Sequence, residues 1–263
     1  MLQEWKAMEK PDEEEIKARL AAAKEKLAKQ QLLIKEQKIP VLVLMEGWGT
    51  AGKGSVIGQV IQNIDPRFFK VESMGEKSEE ERRKPFLYRY FKRIPEEGKF
   101  VFLDSGWMDE IVKDELHGKL SDEDYAKRIE SVRRFERQLT DNGYLVMKFF
   151  LHIPEKEQAK RIEHLEHEKD TVWRVSKNDL WQNRHYEKCE EAFSSYMKNT
   201  NMPSAPWYII DAKSRKWTEL QVLETLTQGI EIALSNQKLA VPLLQNVCLL
   251  YTSPSPRDRT RSR

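Results

Sequence analysis

The sequence predicts an α/β fold, a central parallel sheet with helices on both faces. Three observations predict it. Residues 39–45, 99–103 and 144–153 are short apolar runs, each long enough for one buried strand and too short for a membrane span. Between them lie segments with apolar residues at helical spacing. The first run passes abruptly into Gly47-Trp-Gly-Thr-Ala-Gly-Lys-Gly-Ser55, a glycine-rich loop that opens onto a helical stretch over 56–63.

Taken in order, residues 11–37 carry Ile16, Leu20, Ala23, Leu27 and Ile34 at helical spacing behind an acidic start, which predicts one long helix packed across the domain. The strand and loop of 39–55 follow, then a turn at Asp65-Pro66-Arg67 and a short strand over 70–74. Ser78 caps a helix expected to run on through Phe86, Leu87, Tyr90 and Phe91, aromatics that read as core. The strand over 99–103 closes in Asp104, and 121–140 is a capped amphipathic helix whose Arg133, Arg134 and Arg137 read as surface charge. After the strand at 144–153 comes a charged segment, 155–169, then Trp173 and Arg174, where P-loop nucleotide kinases carry a basic lid. A helix over 178–200, a strand over 206–211 and a closing helix over 218–234 complete the alternation.

Gly47, Gly52 and Lys53 stand at P-loop spacing, between a strand and a helix as that motif requires. Glycines let a loop curl its amides around a phosphate, and the helix N-terminus adds positive potential. The expected phosphate-binding set is Gly47, Gly49, Thr50, Gly52, Lys53, Gly54 and Ser55, with Arg161 and Arg174 reaching in from the lid. Lys53 is the expected catalytic cation. Asp104, an acid at the C-terminal end of a strand beside the loop strand, is the expected catalytic and metal-binding carboxylate. The residue after Lys53, commonly Ser or Thr, is Gly54, and the hydroxyl comes one position later at Ser55. His164 and His167, with His152 nearby, lack a third ligand at recognisable spacing and read as surface histidines.

The 263 residues, 39% hydrophobic, suffice for one α/β core with appendages. Net charge is +2, and four Arg against one Asp in the last seven residues supply +3, so the body is slightly acidic and has no global field to recruit nucleic acid. Cys189 and Cys248 make no disulfide framework, and no membrane span is visible, so the expectation is a cytoplasmic protein. The domain reading is a helical segment over 1–38, a P-loop domain over 39–237 and a disordered tail over 238–263. Residues 247–263 are set apart as non-native in composition, and the natural chain is expected to continue beyond Asn246.

Several stretches together resemble the polyphosphate kinase 2 family: Glu46 through Gly54, Asp65-Pro-Arg67, Arg89-Tyr90 before Ile94-Pro95, Asp104 with Trp107, Phe135-Glu-Arg137, Trp173-Arg-Val-Ser176 and Ala205-Pro-Trp207. The resemblance covers about 10–235. It implies a three-layer α/β/α P-loop kinase fold of thymidylate-kinase type with a central parallel sheet and a basic lid helix. It also implies Mg²⁺-dependent phosphoryl transfer between inorganic polyphosphate and a nucleoside mono- or diphosphate, AMP or ADP as acceptor, and an oligomer. The stretches 75–78 and 83–86 look most like the subgroup with two fused family domains, so a second family domain is expected in the full-length chain.

The departures are specific. The family has an Asp in the loop where this chain has Gly49, and D-R-S-W-Y-N-R where this chain has Asp104-Ser-Gly-Trp-Met-Asp-Glu110. One acid and two arginines are thereby lost, at Gly49, Ser105 and Glu110. The alternative expectation is therefore a catalytically degenerate half that binds polyphosphate or nucleotide in support of an active second domain.

Overall fold

The computed structural model describes residues 1–167 and 169–250, with side chains through residue 236. Helix α1 (Glu13–Glu36) starts where Asp12 accepts the Glu15 amide and three acids occupy the first turn. Its Ile16, Leu20, Leu27 and Ile34 are buried on one side, and the chain then enters β1 (Val41–Gly47), buried throughout. Helix α2 (Lys53–Ile61) follows the glycine loop, and β2 (Phe69–Ser73) is a half-exposed edge.

The single helix expected after Ser78 is two short ones, α3 (Glu79–Arg82) and α4 (Tyr88–Phe91). Pro85 separates them, because a proline disfavours helical geometry in the residue before it. Tyr90 is buried as expected, but Phe91 is 44% exposed. Strand β3 (Phe100–Asp104) leads directly into α5 (Trp107–Leu116), a helix absent from the sequence reading. Next come α6 (Asp122–Asp141), β4 (Leu145–His152) and α7 (Glu155–His167). The helix expected over 178–200 is also divided, into α8 (Lys177–Arg184) and α9 (Tyr186–Thr200), at His185, whose backbone leaves helical geometry. Strand β5 (Trp207–Asp211) precedes α10 (Arg215–Leu250). The α10 backbone stays helical past Gln237, where the sequence reading began the tail; residues 251–263 lie outside the described residues.

All five strands are parallel in the order β2-β3-β1-β4-β5. Helices α1, α2 and α10 cover one face and α5, α6 and α9 the other, giving three layers. From β1 the chain crosses β3 to reach β2, returns to β3 and then passes over β1 to β4, so the winding reverses beside β1 and a crevice opens at its C-terminal end, where such sheets bind ligands. The glycine loop occupies that crevice. No helix among the described residues is long and apolar enough to cross a membrane.

A fully buried ion pair braces the second face. Lys148 Nζ on β4 lies 2.7 Å from Glu136 Oε2 on α6 and 2.8 Å from the Thr200 carbonyl oxygen, while Trp107 Nε1 donates to Glu136 Oε1 at 3.1 Å. The network fixes Trp107, and with it the start of α5, just beyond Asp104.

Candidate active site

The loop is anchored from beneath before it can present anything above. Trp48 is fully buried, stacked on Tyr186 with ring centroids 4.0 Å apart, and its Nε1 donates to His152 Nδ1 at 3.2 Å. His152 is thus a packed ring, and burial lowers its pKa to about 4. Gly52 caps α2 at φ +93°, a conformation open to glycine, and the first turn of α2 begins with Lys53. Lys53 Nζ donates to the carbonyls of Gly47 at 3.2 Å and Trp48 at 3.1 Å.

Asp104 stands beside the loop because β3 pairs with β1 in a register that sets Asp104 against Met45. Its carboxylate makes no hydrogen bond or ion pair among the described residues. Burial raises its pKa, the charge of Lys53 opposes the rise and that of Asp109 adds to it. A Cβ on Gly54 would come 3.2 Å from Asp104 Oδ2, so the acid leans over the first turn of α2 where the commoner Ser or Thr would crowd it.

Behind Asp104, Glu46 is buried at the end of β1, and its Oε1 accepts the amides of Gly106 (3.0 Å), Met108 (3.2 Å) and Asp109 (3.4 Å). A strand carboxylate therefore caps a neighbouring helix, where the dipole favours negative charge. Burial pushes the Glu46 carboxyl up to about 8, with Asp109 adding to the rise and Lys53 opposing it. Sequence reasoning gave Glu46 no role. Its signal was an acid closing an otherwise apolar strand.

A cavity of about 970 Å³ opens over the loop. Of the expected site residues it is lined by Thr50, Gly52, Lys53, Gly54, Ser55, Asp104, Arg161 and Arg174, and Lys160, Lys213 and Arg215 add further cations that the sequence reading did not single out. Gly47 and Gly49 are not part of its lining. Gly47 turns its carbonyl to Lys53. The Gly49 amide donates to Gln182 Oε1 at 3.0 Å and its carbonyl accepts from Gln158 Nε2 at 3.3 Å, so this expected phosphate ligand serves α7 and α8 instead. Arg161, expected as a lid cation, donates to four backbone carbonyls and to Glu157. Arg174 lies over the exposed Trp173 ring, 5.3 Å from its centroid.

The other departures have local partners. Glu110 pairs with Lys77 at 2.5 Å, accepts from Tyr90 Oη at 3.0 Å and lies 3.5 Å from buried Arg89. Asp109 pairs with Lys113 at 2.6 Å. Among the described residues no three His, Cys, Asp or Glu side chains are grouped to hold a metal. A hard divalent cation here would rest on the free Asp104 carboxylate, with water and substrate phosphates completing its shell, the arrangement Mg²⁺ favours at kinase sites.

Comparison with known proteins accords with this geometry. Residues 10–238 match the family model described as polyphosphate kinase 2. A relative named polyphosphate:AMP phosphotransferase, from Pseudomonas syringae pv. tomato, is 30% identical over 199 residues, which is 75% of this chain and 40% of that protein. The chain thus spans less than half the length of that relative. The AMP/ADP-polyphosphate phosphotransferase of Meiothermus ruber is 28% identical over 215 residues, 80% of each chain. The crystal structure of polyphosphate kinase 2 from Arthrobacter aurescens TC1 shares the fold, with a TM-score of 0.80 at 24% identity over 84% of this chain and 80% of that one. With a glycine loop in the crevice of a parallel sheet, an acid at the neighbouring strand end and a family match over residues 10–238, the chain belongs to the polyphosphate kinase 2 family.

Proposed function

We propose that the chain transfers a phosphoryl group between inorganic polyphosphate and AMP or ADP in the cavity above the glycine loop. The observation that carries this reading is one basic cavity holding both the P-loop lysine and a strand-end carboxylate that has no partner among the described residues. Polyphosphate is a long polyanion and needs cations beyond the first phosphate. Lys160, Arg174, Lys213 and Arg215 line the walls past Lys53 and offer them. The acceptor class comes from the relatives' names.

In the transfer, an acceptor phosphate oxygen attacks the terminal phosphorus of polyphosphate, the bridging P–O bond breaks, and the shortened chain leaves with the electron pair. Little covalent work falls to the protein, so position and charge carry the catalysis. The amides of Gly52 to Ser55 at the α2 N-terminus hold the phosphate, and Lys53 leaves its two carbonyls to follow the phosphoryl group. Asp104 would hold Mg²⁺, which would neutralise charge building on the phosphate oxygens. The alternative of a degenerate binding half is not favoured, because the relatives are named for the transfer itself.

The donor is the point to test. With AMP or ADP as acceptor, polyphosphate is expected to support turnover, and ATP with AMP at least about 10-fold less. Equal or faster transfer from ATP would make the chain a nucleoside monophosphate kinase instead.

A further inference from the structure

Arg161 sits on α7 at the wall of the cavity, its side chain 24% exposed. A guanidinium carries five N–H donors and no acceptor. Each of its three nitrogens has an oxygen partner. Nε donates to Glu157 Oε1 at 2.7 Å, Nη1 to the carbonyls of Thr50 at 3.2 Å and Ala51 at 3.3 Å, and Nη2 to those of Ala212 at 2.7 Å and Lys213 at 3.2 Å. Thr50 and Ala51 belong to the glycine loop; Ala212 and Lys213 form the connection from β5 to α10. One side chain ties three separated parts of the chain together.

A loop that curls its N–H groups inward around an anion turns carbonyls outward, and those carbonyls need donors of their own. We infer that Arg161 is a positioning residue for phosphoryl transfer. It holds the backbone of Thr50 and Ala51 in the shape that presents the following amides to phosphate, and it acts through its planar fork. A substrate phosphate has to displace a carbonyl to reach it. Lysine cannot take its place, since an ammonium is a point charge with three donors and cannot span both pairs of carbonyls. The inference rests on the phosphoryl-transfer reading above, and its test separates the two.

The test compares Arg161→Lys and Arg161→Gln with the parent in the full chain, each first shown to be folded by circular dichroism. Calorimetry reads the affinity for inorganic tripolyphosphate, and kinetics reads kcat with polyphosphate and AMP or ADP. Both variants are expected to bind tripolyphosphate about 10-fold more weakly and to lose about 10- to 100-fold in kcat, the lysine no better than the glutamine. A lysine variant with parental affinity and kcat beside a weakened glutamine variant would overturn the inference in favour of a charge contact. So would two variants that melt earlier yet keep parental affinity and kcat. If either fails to fold, Glu157→Gln, which loosens Nε alone, is expected to show the same losses at about 3-fold, and parental values there would contradict the inference. A parent that binds tripolyphosphate but transfers nothing defeats the functional reading while the affinity series still decides the role of Arg161. A parent that binds none defeats both.

Discussion

The Asp179 carboxylate on α8 occupies the space that a side chain on Gly49 would need: a Cβ built there would overlap Asp179 Oδ1. Its other oxygen, Oδ2, accepts from the Ser176 amide and hydroxyl, each at 2.8 Å, closing the capping box of α8. Glycine at 49 is therefore matched to an acid that arrives from another helix. Gln158 and Gln182 hold the same residue from either side.

It follows that placing a carboxylate back at position 49 does not simply restore an acid. Gly49→Asp alone is expected to lower stability by about 1–3 kcal/mol through overpacking, and to lower activity with it. Adding Asp179→Ala is expected to recover most of the loss, short of about 1 kcal/mol for the missing cap. Urea unfolding of the single and double variants checks this. A Gly49→Asp variant as stable as the parent would show that α8 yields freely.

The buried pair of Lys148 and Glu136 supports a second expectation. Burial lowers the lysine pKa and raises that of the glutamate, each opposed by the partner's charge. Lys148→Met is expected to cost about 3–5 kcal/mol, because it strands a buried carboxylate, and Lys148→Met with Glu136→Leu distinctly less. Equal losses in single and double variants would assign the cost to packing rather than charge.

Glu46 sets a pH dependence whose direction is fixed. Its folded pKa, about 8, lies above the ordinary carboxylate value of 4.5, so the native state holds a proton that the unfolded chain releases. The stability contributed by this group is fully present below about 4.5 and is lost as pH rises to about 8. Glu46→Gln cannot titrate, so the parent-minus-variant difference in unfolding free energy is expected to fall across that window and level off above it. A difference that is flat with pH would contradict the burial argument.

Much of the fold was legible because its signals are local. The loop strand, the glycine spacing and the capped helix α6 each lie within one continuous stretch, and Asp104 could be placed at the loop edge because a parallel sheet carries the C-terminal ends of all its strands on one side. What escaped depends on partners distant in sequence. Gly49 and Asp179, or Thr50 and Arg161, meet only once α7 and α8 are packed over the loop. Helix α5 escaped for a different reason. Trp107, Met108, Ile111 and Val112 carry its helical spacing, but the segment opens at Gly106 with no side-chain cap, because Glu46 provides that cap from another strand. The breaks at Pro85 and His185 likewise interrupt patterns that continue across them.

The most direct test of the account is nucleotide formation from AMP or ADP with long-chain polyphosphate and Mg²⁺ by the parent, Lys53→Ala and Asp104→Asn, each verified as folded. The parent is expected to turn over, and each variant to fall by at least about 100-fold, since each removes charge stabilisation at the transferred group. Turnover unchanged in both variants, or absent from a folded parent that binds polyphosphate, would contradict the assignment of this cavity as the site of transfer.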